Sequence, residues 1–275
     1  MSELISTMRL DVAESLRARW FVIYALVFGG IIMGLLIFGL TESRIMGVTG
    51  LSRTLVTFIQ LSMAILPVFI LLSTVRTLAG DREAGVFEYL LSLPVSLGGW
   101  YWGKFLGRFA VVFLPVFLAM VAAVAWGLVT GLDVPWGHVS YYIALLMSLT
   151  VCFLGLGFLI SAFARSTDVG QGVAFLVWLL LLLFLDLILL GLLIRTNVPP
   201  ELVVAIALGN PLQAFRTAAM IQFDPQLILL GPSAYVILDN FGRAGYMAWA
   251  VVYPVAVGLL SAGFGFWWFR RSDLQ

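Results

Sequence analysis

Apolar residues fill this chain in long blocks, and polar residues are confined to the short stretches between them. A helix that crosses a bilayer needs about 20 mostly apolar residues, with a range of about 17–25. Blocks of that length fall at roughly 20–40, 54–79, 105–130, 141–164, 169–194 and 247–269, which predicts six transmembrane helices in a single domain, 1–275. The pattern changes in two places. Over 1–19, Ile5, Met8, Val12 and Leu16 recur at helical spacing, with Arg9, Glu14 and Arg17 elsewhere on the wheel. That predicts an amphipathic helix lying on a membrane face. Between the fifth and sixth blocks, 195–246 is interrupted by Pro199, Pro200, Pro211, Pro225 and Pro232. Its apolar pieces, Leu202–Leu208 and Gln226–Leu238, are too short to span and are expected as re-entrant or interfacial helices.

Composition sharpens this picture without changing it. The hydrophobic fraction is 62% and the charged fraction 11%, with a mean hydropathy of +1.09. A soluble domain has about 45–50% and 25%, so the expected class is an all-α integral membrane protein. Net charge is +1, which leaves no basic surplus for nucleic acid. If residue 1 lies inside, ten cations face inward (Arg9, Arg17, Arg19, Arg76, Arg82, Lys104, Arg108, Arg165, Arg270, Arg271) and five outward (Arg44, Arg53, Arg195, Arg216, Arg243). The positive-inside rule therefore places both termini in the cytoplasm. Trp20, Trp100, Trp102, Trp267 and Trp268 then fall near the inner boundary, and Trp136 and Trp249 near the outer one, as an aromatic belt requires. The first block is too long for a signal-peptide core and is expected to stay as a span.

Candidate chemistry is sparse. Gly98-Gly99-Trp100-Tyr101-Trp102-Gly103-Lys104 matches the spacing of a phosphate-binding loop, but Phe105 stands where a Mg²⁺-binding hydroxyl is needed. No nucleotide site is expected in this chain. Gly99, Gly103 and Gly107 instead make a smooth helical face that lets another backbone approach closely, and Gly30 and Gly34 repeat the pattern. Asp186 lies inside the fifth block, and an acid at membrane depth costs about 2.5–3.5 kcal/mol on insertion scales. It is either a functional group on a transport path or an acid satisfied within the bundle. Arg53, Thr57 and Gln60 share one face of the second block, as a path lining or as an interhelical hydrogen-bond stripe. A single Cys152 excludes an intrachain disulfide, and a single His138 excludes HExxH-type zinc chemistry. The methionines Met33, Met63, Met120 and Met147 are scattered through spans as packing residues are. No catalytic constellation and no metal site emerge. A proton-coupled carrier using Asp186 and an intramembrane enzyme stand as the competing functional readings.

One polar stretch stands out: Asp81-Arg82-Glu83-Ala84-Gly85-Val86-Phe87-Glu88-Tyr89-Leu90-Leu91-Ser92-Leu93-Pro94-Val95-Ser96, with Lys104 following. Val86, Phe87, Leu90 and Leu91 form one apolar face. Asp81 and Glu83 are expected at the N-terminus of a short helix, where its dipole favours acids, and Pro94 ends it. So many acids on a cytoplasmic surface would be repelled by anionic lipid, which points to a protein partner.

Glu83-Ala84-Gly85-Val86-Phe87-Glu88-Tyr89-Leu90-Leu91-Ser92-Leu93-Pro94-Val95-Ser96 resembles the loop motif of ABC-2 type transporter permeases. The six-span plan, the amphipathic N-terminus and the broken segment before the last span are similar to that family too, as is Asn210-Pro211 with Phe215 and Arg216. Within it, the chain resembles the permeases of nitrous-oxide-reductase maturation systems. The resemblance implies the ABC-2, or type V exporter, fold in the bacterial inner membrane. It also implies a homodimer bound to two copies of a cytoplasmic ATPase, which would hold ATP and Mg, and a periplasmic β-helical partner. The cargo or output would serve assembly of the reductase's copper–sulfur centre. Residues 80–96 become a coupling helix, with Asp81, Arg82, Glu83, Gly85, Phe87 and Glu88 facing the ATPase. Arg53, Thr57, Gln60 and Asp186 become candidate path residues. Asn210, Pro211, Phe215 and Arg216 become the outer gate or partner contact.

Overall fold

The computed structural model describes residues 2–17, 23–24, 26–27, 29–30, 48–86, 95–129, 136–184, 200–223 and 232–272. Every element among them is helical: α1 (Ser2–Arg17), α2 (Val48–Glu83), α3 (Leu97–Val129), α4 (Trp136–Phe163), α5 (Thr167–Leu179, continued by a π-helical turn Leu180–Phe184), α6 (Pro200–Gly209), α7 (Pro211–Phe223) and α8 (Pro232–Ser272). Among the described residues, four stretches are long and apolar enough to cross a bilayer: Ser62–Glu83, Leu97–Ala122, Trp136–Phe163 and Gly242–Arg271. They carry the second, third, fourth and sixth predicted spans. Most of the first predicted span, and the fifth beyond Phe184, lie outside the described residues.

The helices begin earlier or end later than hydropathy alone suggested. α3 starts at Leu97 rather than near 105, because Ser96 Oγ accepts from the Gly99 N–H at 3.3 Å and caps its first turn. Three of the prolines that seemed to interrupt 195–246 instead open helices, as Pro200, Pro211 and Pro232 are the first residues of α6, α7 and α8. Proline suits that position, since the first helical N–H has no intrahelical acceptor. The predicted boundary near 247 is a break inside α8 at Gly242, whose φ of 68° favours glycine.

α4 is the central post, packed against α8 and α2 with α3, α5 and α7 around it. In lipid, helices gain little from apolar burial alone, so close packing of small residues carries the association. Gly155 of α4 meets the backbone of Gly258 in α8, and a Cβ on either glycine would enter the other helix's main chain. A Cβ on Gly157 would stand 2.9 Å from Thr74 of α2. Hydrogen bonds to backbone carbonyls tie the same helices. Tyr141 Oη donates to Met247 O at 2.8 Å, Ser148 Oγ to Val251 O at 2.6 Å, and Tyr101 Oη to Ala262 O at 2.8 Å. Pro254, three residues further along α8, lacks the N–H that would bond Ala250 O. Ser161 Oγ donates to Val75 O at 2.6 Å and accepts from Ala79 N at 2.9 Å, so it bridges one turn of α2. Cys152 is buried in this core as a free thiol.

Candidate coupling site at the charged end

The polar stretch that stood out in the sequence is the point where five helices converge. α2 does not stop before it. The helix runs unbroken through Asp81, Arg82 and Glu83, and then ends at Gly85, whose φ is 69°. The Ala84 N–H donates to Gly80 O at 3.0 Å and the Gly85 N–H to Arg82 O at 3.1 Å, which closes the last turn. A glycine in the left-handed region is the common way to end a helix. The expected helix start at Asp81 is therefore corrected: Asp81 and Glu83 stand at a C-terminus, where the dipole disfavours acids. Their own chain supplies the compensation.

Glu83 accepts from the Thr167 N–H at 2.9 Å and from Thr167 Oγ1 at 2.6 Å. It thereby caps the N-terminus of α5, a location that favours an acid. Ser166 completes that cap by accepting from the Val169 N–H. Arg82 reaches the other side of the same turn and donates to Ala164 O at 2.6 Å and Ala162 O at 3.3 Å, carbonyls at and just past the end of α4. Asp81 pairs with Lys104 of α3, whose ammonium also lies 4.7 Å from the Trp100 ring. Three consecutive residues thus fasten the end of α2 to α3, α4 and α5.

The partner of the glycine face on α3 is α1. A Cβ on Gly103 would lie 2.8 Å from Leu4 O, and one on Gly107 would lie 3.0 Å from Met8 O. The face that docks is Leu4, Thr7, Met8 and Asp11, while Ile5 and Leu16 of the predicted apolar stripe are 42% and 41% exposed. Two acids secure it. Glu3 accepts from the Ser96 N–H at 3.2 Å and Ser96 Oγ at 2.6 Å, and those bonds hold its carboxyl below the usual range. Asp11, 4% exposed, pairs with Arg108 at 3.1 Å. Burial pushes its carboxyl upward, Arg108 and Lys104 oppose the shift, and Glu14 and Asp81 add to it. Lys104 and Arg108, one turn apart on α3, therefore hold one acid from α2 and one from α1.

Phe87 and Glu88 of the expected coupling helix lie outside the described residues, as does Asp186. Arg53, Thr57 and Gln60 all fall within α2, on one helical face by their spacing. The third predicted group sits elsewhere. Asn210 is fully buried and caps α7 by accepting from the Leu212 N–H at 3.0 Å, while its Nδ2 donates to Leu181 O at 2.8 Å. Pro211 opens α7, and Phe215 is buried 5.9 Å from the Tyr142 ring. Arg216 is half-buried. Asn210 and Phe215 are thus buried as a helix cap and as core. Sequence reading missed Glu3 and Asp11 and gave Ser96 only as the end of the motif, because the partners lie about ninety residues away in the chain and no local pattern exposes them. Ser166-Thr167-Asp168 was a readable N-cap signal.

With this geometry in hand, comparison with known proteins adds the following. The family described as ABC-2 family transporter protein matches residues 5–274. The chain is 27% identical over 234 residues to the probable ABC transporter permease protein NosY of Stutzerimonas stutzeri, covering 82% of this chain and 83% of that one. It is 26% identical over 222 residues to the protein of the same name from Pseudomonas aeruginosa, covering 78% and 81%.

Proposed function

Because the chain belongs to the ABC-2 family of transporter proteins, we propose that it is the membrane-spanning permease subunit of an ATP-driven complex and is moved by a separate cytoplasmic ATPase. The observation that supports this most is the convergence of α1, α2, α3 and the α4–α5 turn on the motif at 81–96. A load applied to the segment between Gly85 and Ser96 meets α2 at one end and, through Ser96, both α3 and α1 at the other. Phe87 and Glu88 are the residues proposed to enter the ATPase, with Phe87 as the apolar anchor, since a few buried residues carry most interface energy. Asp81, Arg82 and Glu83 transmit the load from behind. ATP and Mg bind to the partner, and this chain supplies no step of hydrolysis.

In this reading two copies of the chain stand in the bacterial inner membrane with both termini in the cytoplasm, bound to two ATPases. The likeness to the two NosY permeases supports a role in assembling the copper–sulfur centre of nitrous oxide reductase. A periplasmic β-helical protein would receive the motion or the cargo. Affinity purification of the tagged chain from native membranes, with identification of every stoichiometric partner, tests this. An ABC ATPase and a second copy of the chain are expected. Turnover or gradient-driven transport by the chain alone, with no ATPase bound, would overturn it.

A further inference from the structure

α5 is held at both of its described ends by side chains from other elements. At its start, Glu83 of α2 accepts from the backbone N–H and the hydroxyl of Thr167. At its far end the helix passes into the π-helical turn Leu180–Phe184. A π turn changes the partner of each carbonyl, and such turns often mark functional positions. Here Asn210, from the α6–α7 junction, donates to Leu181 O at 2.8 Å while its own Oδ1 caps α7. One side chain therefore joins the π turn to the first turn of α7. The two attachments are fourteen residues apart, about 21 Å along a helix at 1.5 Å per residue.

Between these two attachments the body of α5 has one packed side and one exposed side. On one side it packs against α2, through Gly170 on Val75 and through Trp178 Nε1, which donates to Ala64 O at 3.1 Å. On the other side Val169, Val173, Phe175, Leu176 and Leu180 are exposed. At the far junction Trp249 Nε1 donates to Leu208 O at 3.4 Å and Tyr253 Oη to Gly209 O at 2.5 Å. The α6–α7 corner is thus gripped by α5 through Asn210 and by α8 through two aromatic donors.

We infer that α5 is a connecting rod, clamped to the coupling segment by Glu83–Thr167 and to the α6–α7 hairpin by Asn210–Leu181, so that Glu83 and Asn210 are positioning residues for energy transfer. The inference rests on the permease reading above and adds the route by which motion crosses the membrane. Neither residue needs to touch ATP or cargo. Glu83 links input to the rod and Asn210 links the rod to the output.

The test uses the intact complex with its ATPase, in a Cys152→Ala background. A single spin label is read between the two copies, introduced by Arg165→Cys at the charged end or by Ala205→Cys on α6. Both positions are exposed. Trapping the complex with ATP and vanadate is expected to change both distances. Asn210→Ser keeps an oxygen suited to capping α7 but withdraws the amide that reaches Leu181. It is expected to retain the change at 165 and lose the change at 205. Glu83→Ala is expected to lose the change at 205 as well, and Glu83→Gln, which keeps one acceptor for the Thr167 N–H, to restore it. If 205 still moves in both Asn210→Ser and Glu83→Ala, the rod is wrong while the permease reading stands. If 205 stays still in the otherwise unsubstituted complex while 165 moves, the rod is equally wrong. No ATP-dependent change at 165 in that complex would remove the permease reading and the rod together.

Discussion

The charged end and the α6–α7 corner solve one problem with different chemistry. At the charged end, ionised side chains meet one another or cap helix ends: Asp81 with Lys104, Asp11 with Arg108, Glu83 on Thr167, Glu3 on Ser96. At the corner, neutral donors reach backbone carbonyls: Asn210 to Leu181, Trp249 to Leu208, Tyr253 to Gly209. A charge is tolerable where water and headgroups are near, whereas a buried carbonyl left without a partner costs free energy wherever it lies, and a neutral donor answers it. The lesson is that the first region can be loosened by charge and pH, while the second yields only to changes of shape or donor.

The largest effect should come from the post that both regions share. Gly258→Leu drives a side chain into the backbone at Val151 and Cys152. Overpacking costs about 1–3 kcal/mol, and a clash with backbone falls at the upper end. Thermal unfolding in detergent should show both regions losing structure together. A variant that loses only the corner would break the comparison, because it would show that α4 does not serve both.

The next test contrasts the regions directly. Arg108→Met leaves Asp11, nearly fully buried, without its cation, and removing one member of a buried pair costs about 3–5 kcal/mol. Because Arg108 keeps 20% exposure, the lower end of that range is expected. Combining it with Asp11→Leu should recover most of the loss. Tyr253→Phe removes one neutral bond to Gly209 and should cost about 1 kcal/mol. Denaturation midpoints of the three variants rank these effects.

The smallest effect is in pH. Glu3 has a depressed folded-state pKa, so its contribution is present above the ordinary carboxyl value and is lost as pH falls through the depressed value. Asp11 has a raised pKa, so the folded state binds its proton more tightly, and docking strengthens as pH falls through that raised value. Mild acidification should therefore tighten α1, and stronger acidification should release it. Hydrogen exchange over residues 2–17 reads both limbs. Asp11→Asn should remove the first and Glu3→Gln the second.

Much of this was legible in the sequence for stated reasons. Blocks of about twenty apolar residues set the spans, and the Gly99, Gly103 and Gly107 spacing correctly announced a close backbone approach. It did not name the partner, because α1 reaches that face across some ninety residues of chain. The charged motif was legible as a site but not in its orientation. Hydrophobic spacing cannot show that α2 continues to Glu83, and the one local clue was Gly85, a residue suited to ending a helix rather than occupying one. Asp81, Arg82 and Glu83 bond within their own chain, while Phe87 and Glu88 lie outside the described residues. Asn210 and Phe215 were marked by a proline motif, yet a motif does not reveal burial.

The central claim is that the segment beyond Gly85 is gripped by an ATPase and that the residues before it carry the load. The most direct measurement is ATPase retention and ATP-driven movement in the purified complex after Phe87→Ala combined with Glu88→Ala. The account predicts normal membrane insertion, an intact charged end, and loss of the ATPase or of its coupled movement. Full retention of both the ATPase and the movement would contradict it.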